Sequence, residues 1–215
     1  MKKILFLSAL LSCLNLVDGA YACTGITLNA RDGGTVVART MDWSRTENNS
    51  MYVVVPRGFN QQSLLPDGSK EGLSFVSLYG YAGLAAAEPE FIIDGTNEAG
   101  LSAALFYFPN YGEYQPYNQA DKDISLADFQ VVSWILSRFS TIDQVKAAIN
   151  NVRIINVDPS ASTVHWRITE PNGRQVVLEI VNGAPNFYEN EVGVLTNSPG
   201  FPWQMSNLNT YVNLH

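Results

Sequence analysis

Cys23 is the residue around which chemistry is most readily built in this chain. It follows Ala20-Tyr21-Ala22, which closes an apolar run from Ile4 to Val17 set behind the basic start Met1-Lys2-Lys3. A charged start, a short apolar core and an A-x-A end make a secretory signal, too short for a comfortable membrane span. Cleavage after Ala22 would leave Cys23 as residue one, its thiol beside its own α-amine. That amine titrates near about 7.7–8.0. Its neutral form can take the thiol proton and later hand it to a leaving amine, with no histidine needed. A lipoprotein signal also cuts before a cysteine, but it usually carries leucine where this chain has Ala20.

The rest of the inventory supports a thiol acting alone. Cys13 departs with the signal, so the mature protein keeps one thiol and forms no internal disulfide. Such a cysteine in an exported protein is either reactive or paired with another chain. The histidines are His165, inside an expected strand, and His215 at the terminus; a bland strand role is expected for His165. The sequence has no nucleophile elbow, HExxH, P-loop or dinucleotide fingerprint. Arg39-Thr40-Met41-Asp42 closes the second expected strand, beside Cys23 if the opening hairpin forms. Arg39 can favour the thiolate, and Asp42 can orient the ammonium or bind a substrate nitrogen. Taken by themselves, a strand-end Arg and Asp are more often a surface ion pair.

Positioning these residues falls to the elements around them. Residues 1–22 read as the signal peptide and 23–215 as one domain with a sizeable core. Thr24 to Ala30 and Thr35 to Met41 form a hairpin about Asp32-Gly33. Strands are expected over Met51 to Pro56, Ser74 to Tyr79, Phe91 to Ile93 and Leu101 to Phe108. Loops are expected over Gln61 to Gly72 and Asp94 to Gly100, with an aromatic loop from Asn110 to Asn118. Ser125-Leu126-Ala127-Asp128 has capping-box form ahead of Phe129, Val132, Leu136 and Phe139 at helical spacing. Thr141 to Ile149 reads as a second helix. Strands return over Val152 to Val157, Val164 to Thr169, Gln175 to Val181 and Gly193 to Thr196. The order gives an α+β fold with antiparallel sheets. The chain then stops at Asn207 to His215 with no closing element expected, as though cut within a domain. The formal charge of −7 and the absence of a basic cluster argue against nucleic acid and anionic membrane surfaces, and no later apolar run spans a bilayer.

Four ordered motifs carry a resemblance. Cys23-Thr24-Gly25, Arg39-Thr40-Met41-Asp42, Asn97-Glu98-Ala99-Gly100-Leu101 and Leu195-Thr196-Asn197-Ser198-Pro199 resemble the choloylglycine hydrolase family, from Cys23 to about Val212. That family comprises bile salt hydrolases and penicillin V acylases. The resemblance implies an αββα N-terminal-nucleophile sandwich, incomplete at its C-terminus, and hydrolysis of a non-peptide linear C–N amide through a Cys23 thioester. It implies Cys23 as nucleophile and base, Arg39 beside it, and Asp42 holding the amine. Asn197 supplies an oxyanion donor through its side-chain amide, and Tyr107 the other through its backbone N–H. No metal or cofactor is implied. The partner is a small-molecule amide, a homo-oligomer is left open, and the location is periplasmic or secreted. Tyr107 stands where bile salt hydrolases usually have asparagine and penicillin V acylases tyrosine. With Phe106, Phe108, Tyr111, Tyr114 and Tyr117 it suggests an aromatic entrance favouring penicillin V over conjugated bile acids; N-acyl homoserine lactones are a further alternative. The second active-site arginine of the family has no counterpart, so the rival to an enzyme is an inactive, incomplete chain.

Overall fold

The computed structural model describes residues 22–42, 49–158 and 161–212. The expected signal peptide lies, apart from Ala22, outside the described residues. The chain opens with the expected hairpin, β1 (Ala22–Asn29) and β2 (Thr35–Asp42). There follow β3 (Met51–Val55), β4 (Asn60–Gln62), β5 (Ser74–Val76), β6 (Tyr81–Ala85), β7 (Ile92–Asn97) and β8 (Ser102–Tyr107). Next come β9 (Ser125–Ala127), α1 (Val131–Arg138), α2 (Ile142–Ala148) and β10 (Arg153–Ile155). The chain continues through β11 (Val164–Thr169), β12 (Gln175–Val181), β13 (Ala184–Glu189), β14 (Val194–Thr196) and α3 (Phe201–Asn209).

Among the described residues, the strands form a seven-stranded sheet, β13-β12-β11-β8-β7-β6-β3, and a three-stranded sheet, β14-β1-β2. Every ladder in both is antiparallel, while the small β9–β10 pair is parallel. Side-chain alternation sorts two cores. Ala103 and Leu105 of β8, with Val176, Leu178 and Ile180 of β12, join Val132, Ile135 and Leu136 of α1 in a core between helices and sheet. Ala104, Phe106 and Val177 face the other way and meet Cys23, Leu195 and Phe201 in a second core between the sheets. Buried on both faces, β8 and β12 are mostly apolar, whereas β11 alternates Val164, Trp166 and Ile168 with His165, Arg167 and Thr169. The opening hairpin covers only part of the inner face. Tyr52 and Val54 of β3 are exposed, as are Ile26, Leu28 and Val36 on the outer side of the hairpin. No helix of the described residues is long and apolar enough to cross a membrane.

Several local expectations are corrected. The expected loop from Asp94 is strand β7 as far as Asn97, and its partner β6 was not anticipated. Both contain glycine, which weakens a strand signal, yet Gly83 and Gly95 are cross-strand partners. A Cβ on Gly83 would lie 2.7 Å from the Asp94 carbonyl oxygen, so close approach of the strands demands glycine there. Ser125 does not cap a helix. It begins β9, its hydroxyl donates to the Asp121 carbonyl, and Asp128 instead accepts the Phe129 N–H at 3.0 Å. Strand β4 occupies the start of the expected Gln61 loop, β13 was missed, and the tail expected to lack an element contains α3. The helix over Thr141 to Ile149 holds, with the Thr141 hydroxyl accepting the Gln144 N–H.

Candidate active site

The hairpin register brings the expected residues together. Cys23 lies opposite Met41, and Gly25 opposite Arg39. On the other side of β1, Thr24 pairs with Thr196 of β14. One residue further along each strand come Cys23 and Asn197, so the thiol-bearing residue is flanked by Met41 on one side and the Asn197 segment on the other. Cys23 is buried, 3% exposed, among Ala104, Phe106, Val177, Leu195 and Phe201. Its nitrogen is in peptide linkage to Ala22, which pairs with Asp42; Asp42 itself is exposed at the strand end.

Arg39 ties the two sheets together at this point. Its Nη1 donates to the Leu105 carbonyl at 2.5 Å and to the Ile93 carbonyl at 3.3 Å, and its Nε to the Thr40 carbonyl. The guanidinium stands 4.5 Å from the Phe106 ring centroid, a cation–π contact. The guanidinium of Arg167, on β11, lies 5.7 Å from the same ring. Arg167 is a buried arginine that sequence reasoning did not single out. It donates to the Ile26 carbonyl, and burial pulls its pKa down, a shift that Asp94 opposes. Burial pushes the Asp94 carboxyl above its ordinary range, with Arg39 and Arg167 acting against that shift. Arginine inside a strand of alternating apolar residues is the one signal that would have flagged this cluster.

Tyr107 and Asn197 meet directly. The Tyr107 backbone N–H donates to Asn197 Oδ1 at 3.0 Å. The expected pair of oxyanion donors is therefore adjacent, but in this arrangement Tyr107 holds the Asn197 carbonyl oxygen. The other end of the Asn197 side chain is an amide NH2, a hydrogen-bond donor in kind. The Asn197 segment is further held by Gln204 of α3, whose Nε2 donates to the carbonyls of Asn197 and Pro199. His165 is fully buried and has both ring nitrogens in hydrogen-bonding contact, which supports the strand role expected for it. The third motif is structural: Asn97 Nδ2 donates to the carbonyls of Leu136 and Phe139, and its Oδ1 accepts the N–H groups of Ala99 and Leu101.

Met41 opens onto a cavity of about 550 Å³ lined by Leu64, Phe91, Ile93, Leu105 and Phe129, with Lys70, Glu88, Glu90 and Asp158 as its charged groups. Lys70 is ion-paired with Glu90. The aromatic entrance expected around Tyr107 is not built as such. Phe106 is buried between the arginines, Phe108 stacks on His165 at 4.3 Å, and Tyr114 donates its hydroxyl proton to the Val164 carbonyl. Side-chain alternation sends Phe106 into the inter-sheet core, and Phe108 is drawn in by the ring behind it. The cavity takes its aromatic character from Phe91 and Phe129, whose ring centroids lie 5.6 Å apart.

Two antiparallel sheets with helices on the outer face of the larger, and a cysteine on the central strand of the smaller turned into the core between them, define an N-terminal-nucleophile hydrolase fold. The chain belongs to the choloylglycine hydrolase family of linear amide C–N hydrolases, whose model matches residues 23–215. It is 33% identical over 196 residues to a bile salt hydrolase/transferase of Clostridium perfringens, covering 89% of this chain and 58% of that protein. A bile salt hydrolase/transferase of Lactiplantibacillus plantarum is 30% identical, with 88% and 56% covered. A crystal structure of a conjugated bile acid hydrolase variant from Clostridium perfringens superimposes with a TM-score of 0.75 at 31% identity, covering 90% of this chain and 58% of that one. Penicillin V acylase from Agrobacterium tumefaciens shares the fold, with a TM-score of 0.76 at 22% identity and the same coverage. The chain thus spans somewhat over half the length of the relatives it matches.

Proposed function

We propose that this chain carries the nucleophile half of an exported hydrolase that cleaves a linear, non-peptide C–N amide through a Cys23 thioester. The observation that carries this reading is the placement of Cys23 between Met41, at the cavity wall, and Asn197, whose amide is fixed by the Tyr107 N–H. Removal of residues 1–22 would free the Cys23 amine beside Asp42. The amine takes the thiol proton, sulfur attacks the amide carbonyl, and the Asn197 NH2 donates to the oxyanion. The protonated amine then gives that proton to the substrate's leaving nitrogen as the C–N bond breaks, and water hydrolyses the Cys23 thioester to the free acid and thiol. Arg39 and Arg167 both lie against the Phe106 ring, which shares the inter-sheet core with Cys23.

The cavity selects an apolar acyl group, because its walls near Met41 are aliphatic and aromatic. The tyrosine at position 107 favours a penicillin V type substrate. Conjugated bile acids are the second reading, favoured by the names of the relatives above and by a cavity roomier than one aromatic ring needs. The test uses protein secreted with its leader removed, checked by intact mass, and measures kcat/KM for penicillin V and glycocholate on one preparation. Cys23→Ala should abolish turnover of either, and one extra residue placed before Cys23 should be nearly as damaging because it turns the base into an amide. Full activity with that extra residue would refute the amine's role. Preference for glycocholate would show that Tyr107 does not report the substrate.

A further inference from the structure

We infer that Glu179 and His165 are positioning residues for Asn197, a use of the buried pair that rests on the reading of Asn197 given above. His165, on β11, is wholly buried, and its Nε2 lies 3.0 Å from the Thr196 carbonyl oxygen. A carbonyl only accepts, so Nε2 carries a hydrogen and donates it. The other ring nitrogen, Nδ1, lies 3.2 Å from Oε1 of Glu179, which is itself 1% exposed. Two lone pairs do not face each other at that distance in a buried site, so one further proton lies between Nδ1 and Oε1, and the pair has no net charge. The same Oε1 accepts the Phe201 N–H at 2.7 Å.

One carboxylate therefore grips both ends of the segment that contains Asn197: Thr196 through the imidazole, and Phe201 directly. Rings fix the imidazole in turn. Phe108 stacks on it at 4.3 Å with planes 8° apart, and Phe106 meets it edge-on at 6.2 Å. These phenylalanines flank Tyr107, whose N–H holds Asn197 Oδ1. The rings that back the clamp thus sit on either side of Tyr107, at the end of strand β8. A buried ion pair of this kind adds little to stability compared with apolar packing of the same volume. Its consequence here is geometric: it sets where the Thr196 carbonyl, and hence the next residue, can lie. A displacement near 1 Å at a reacting group costs about a hundredfold in rate.

The test compares two substitutions that each keep half of the imidazole's hydrogen bonding. His165→Gln places an amide NH2 near the Nε2 position and keeps a donor for Thr196. His165→Asn places it near Nδ1, keeping Glu179 company but losing Thr196. Kinetics should show kcat down about 10- to 100-fold in the asparagine variant, with KM unchanged and a smaller loss in the glutamine variant, which keeps the Thr196 donor but breaks the link to Glu179. Amide exchange followed by NMR gives a readout independent of turnover. The Tyr107 N–H should be protected in wild type and His165→Gln, and exchange much faster in His165→Asn. In wild type, a slowly exchanging ring N–H signal from His165 should also be present. Should the wild type cleave no amide, the exchange pattern still decides the clamp, while the functional reading fails separately. Equal melting losses in both variants with Tyr107 protection unchanged, or absence of the ring N–H signal, overturns the inference.

Discussion

Substituting Gly25 by alanine tests how tightly the nucleophile strand is seated. Gly25 sits two residues from Cys23, opposite Arg39, and faces the interior between the sheets. A Cβ there would stand 2.6 Å from Phe106 Cζ and 2.6 Å from Arg167 Nη1, with Phe106 Cε1 at 3.1 Å. Ordinary contact begins at 3.4 Å, so something must move by roughly 0.8 Å. Phe106 is wholly buried and lies between two guanidiniums, and Arg167 is 2% exposed and bonded to the Ile26 carbonyl. Neither has free space to enter, so β1 itself must lift off the larger sheet. Overpacking of this size costs about 1–3 kcal/mol. The same shift moves Cys23 away from Asn197, and a displacement near 1 Å costs about a hundredfold in kcat/KM. Urea unfolding followed by intrinsic fluorescence reads the first effect, and turnover per folded molecule reads the second. A Gly25→Ala protein with wild-type stability and turnover would refute the packing argument, because the extra methyl would then have found room between Phe106 and Arg167.

Asp128 predicts a pH dependence of stability. Burial raises its carboxyl from 3.8 to about 7, against hydrogen bonds from the Phe129 and Val157 backbones, and its Oδ2 has no hydrogen-bond partner among the described residues. The folded state therefore holds this proton more tightly than the unfolded chain. Stability is full below about pH 4 and is lost as pH rises through about 7, by at most about 4 kcal/mol at 1.36 kcal/mol per unit. Asp128→Asn should flatten that part of the curve in urea melts from pH 4 to 8; a wild-type minus variant difference rising with pH would contradict the assignment. Asn97→Ala removes four hydrogen bonds, two that join the β7–β8 turn to the end of α1 and two within the turn. It should cost about 2–4 kcal/mol because buried carbonyls and N–H groups lose their partners, seen as a lowered melting temperature. An unchanged melting temperature would mean that water replaces the amide.

Sequence alone determined the hairpin that carries the nucleophile, because turn chemistry and alternation are local: Asp32-Gly33 joins two strands whose inward residues include Cys23, Gly25, Arg39 and Met41. It also determined the core strands β8 and β12, from their mostly apolar runs, and β11, from its alternation of Val164, Trp166 and Ile168. The motif spacing led to Arg39 and Asn197, and tertiary register then brought both to Cys23. Strand β6 and the later part of β7 escaped notice because their glycines are demanded by the neighbouring strand rather than by any local preference. Ser125 has the form of a helix cap but is claimed by the parallel partner β10, a contact made across the intervening helices. The same limit applied to the aromatic run from Phe106. Spacing shows three aromatic residues in a row, whereas only the packed sheets decide that Phe106 separates two arginines, that the Tyr107 N–H holds Asn197, and that Phe108 backs His165. Glu179 and His165 read as strand residues because their partners lie on other strands and on the chain that enters α3. Local rules name what each residue prefers. Burial without water forces each polar group to find a partner, and that partner is chosen by the fold.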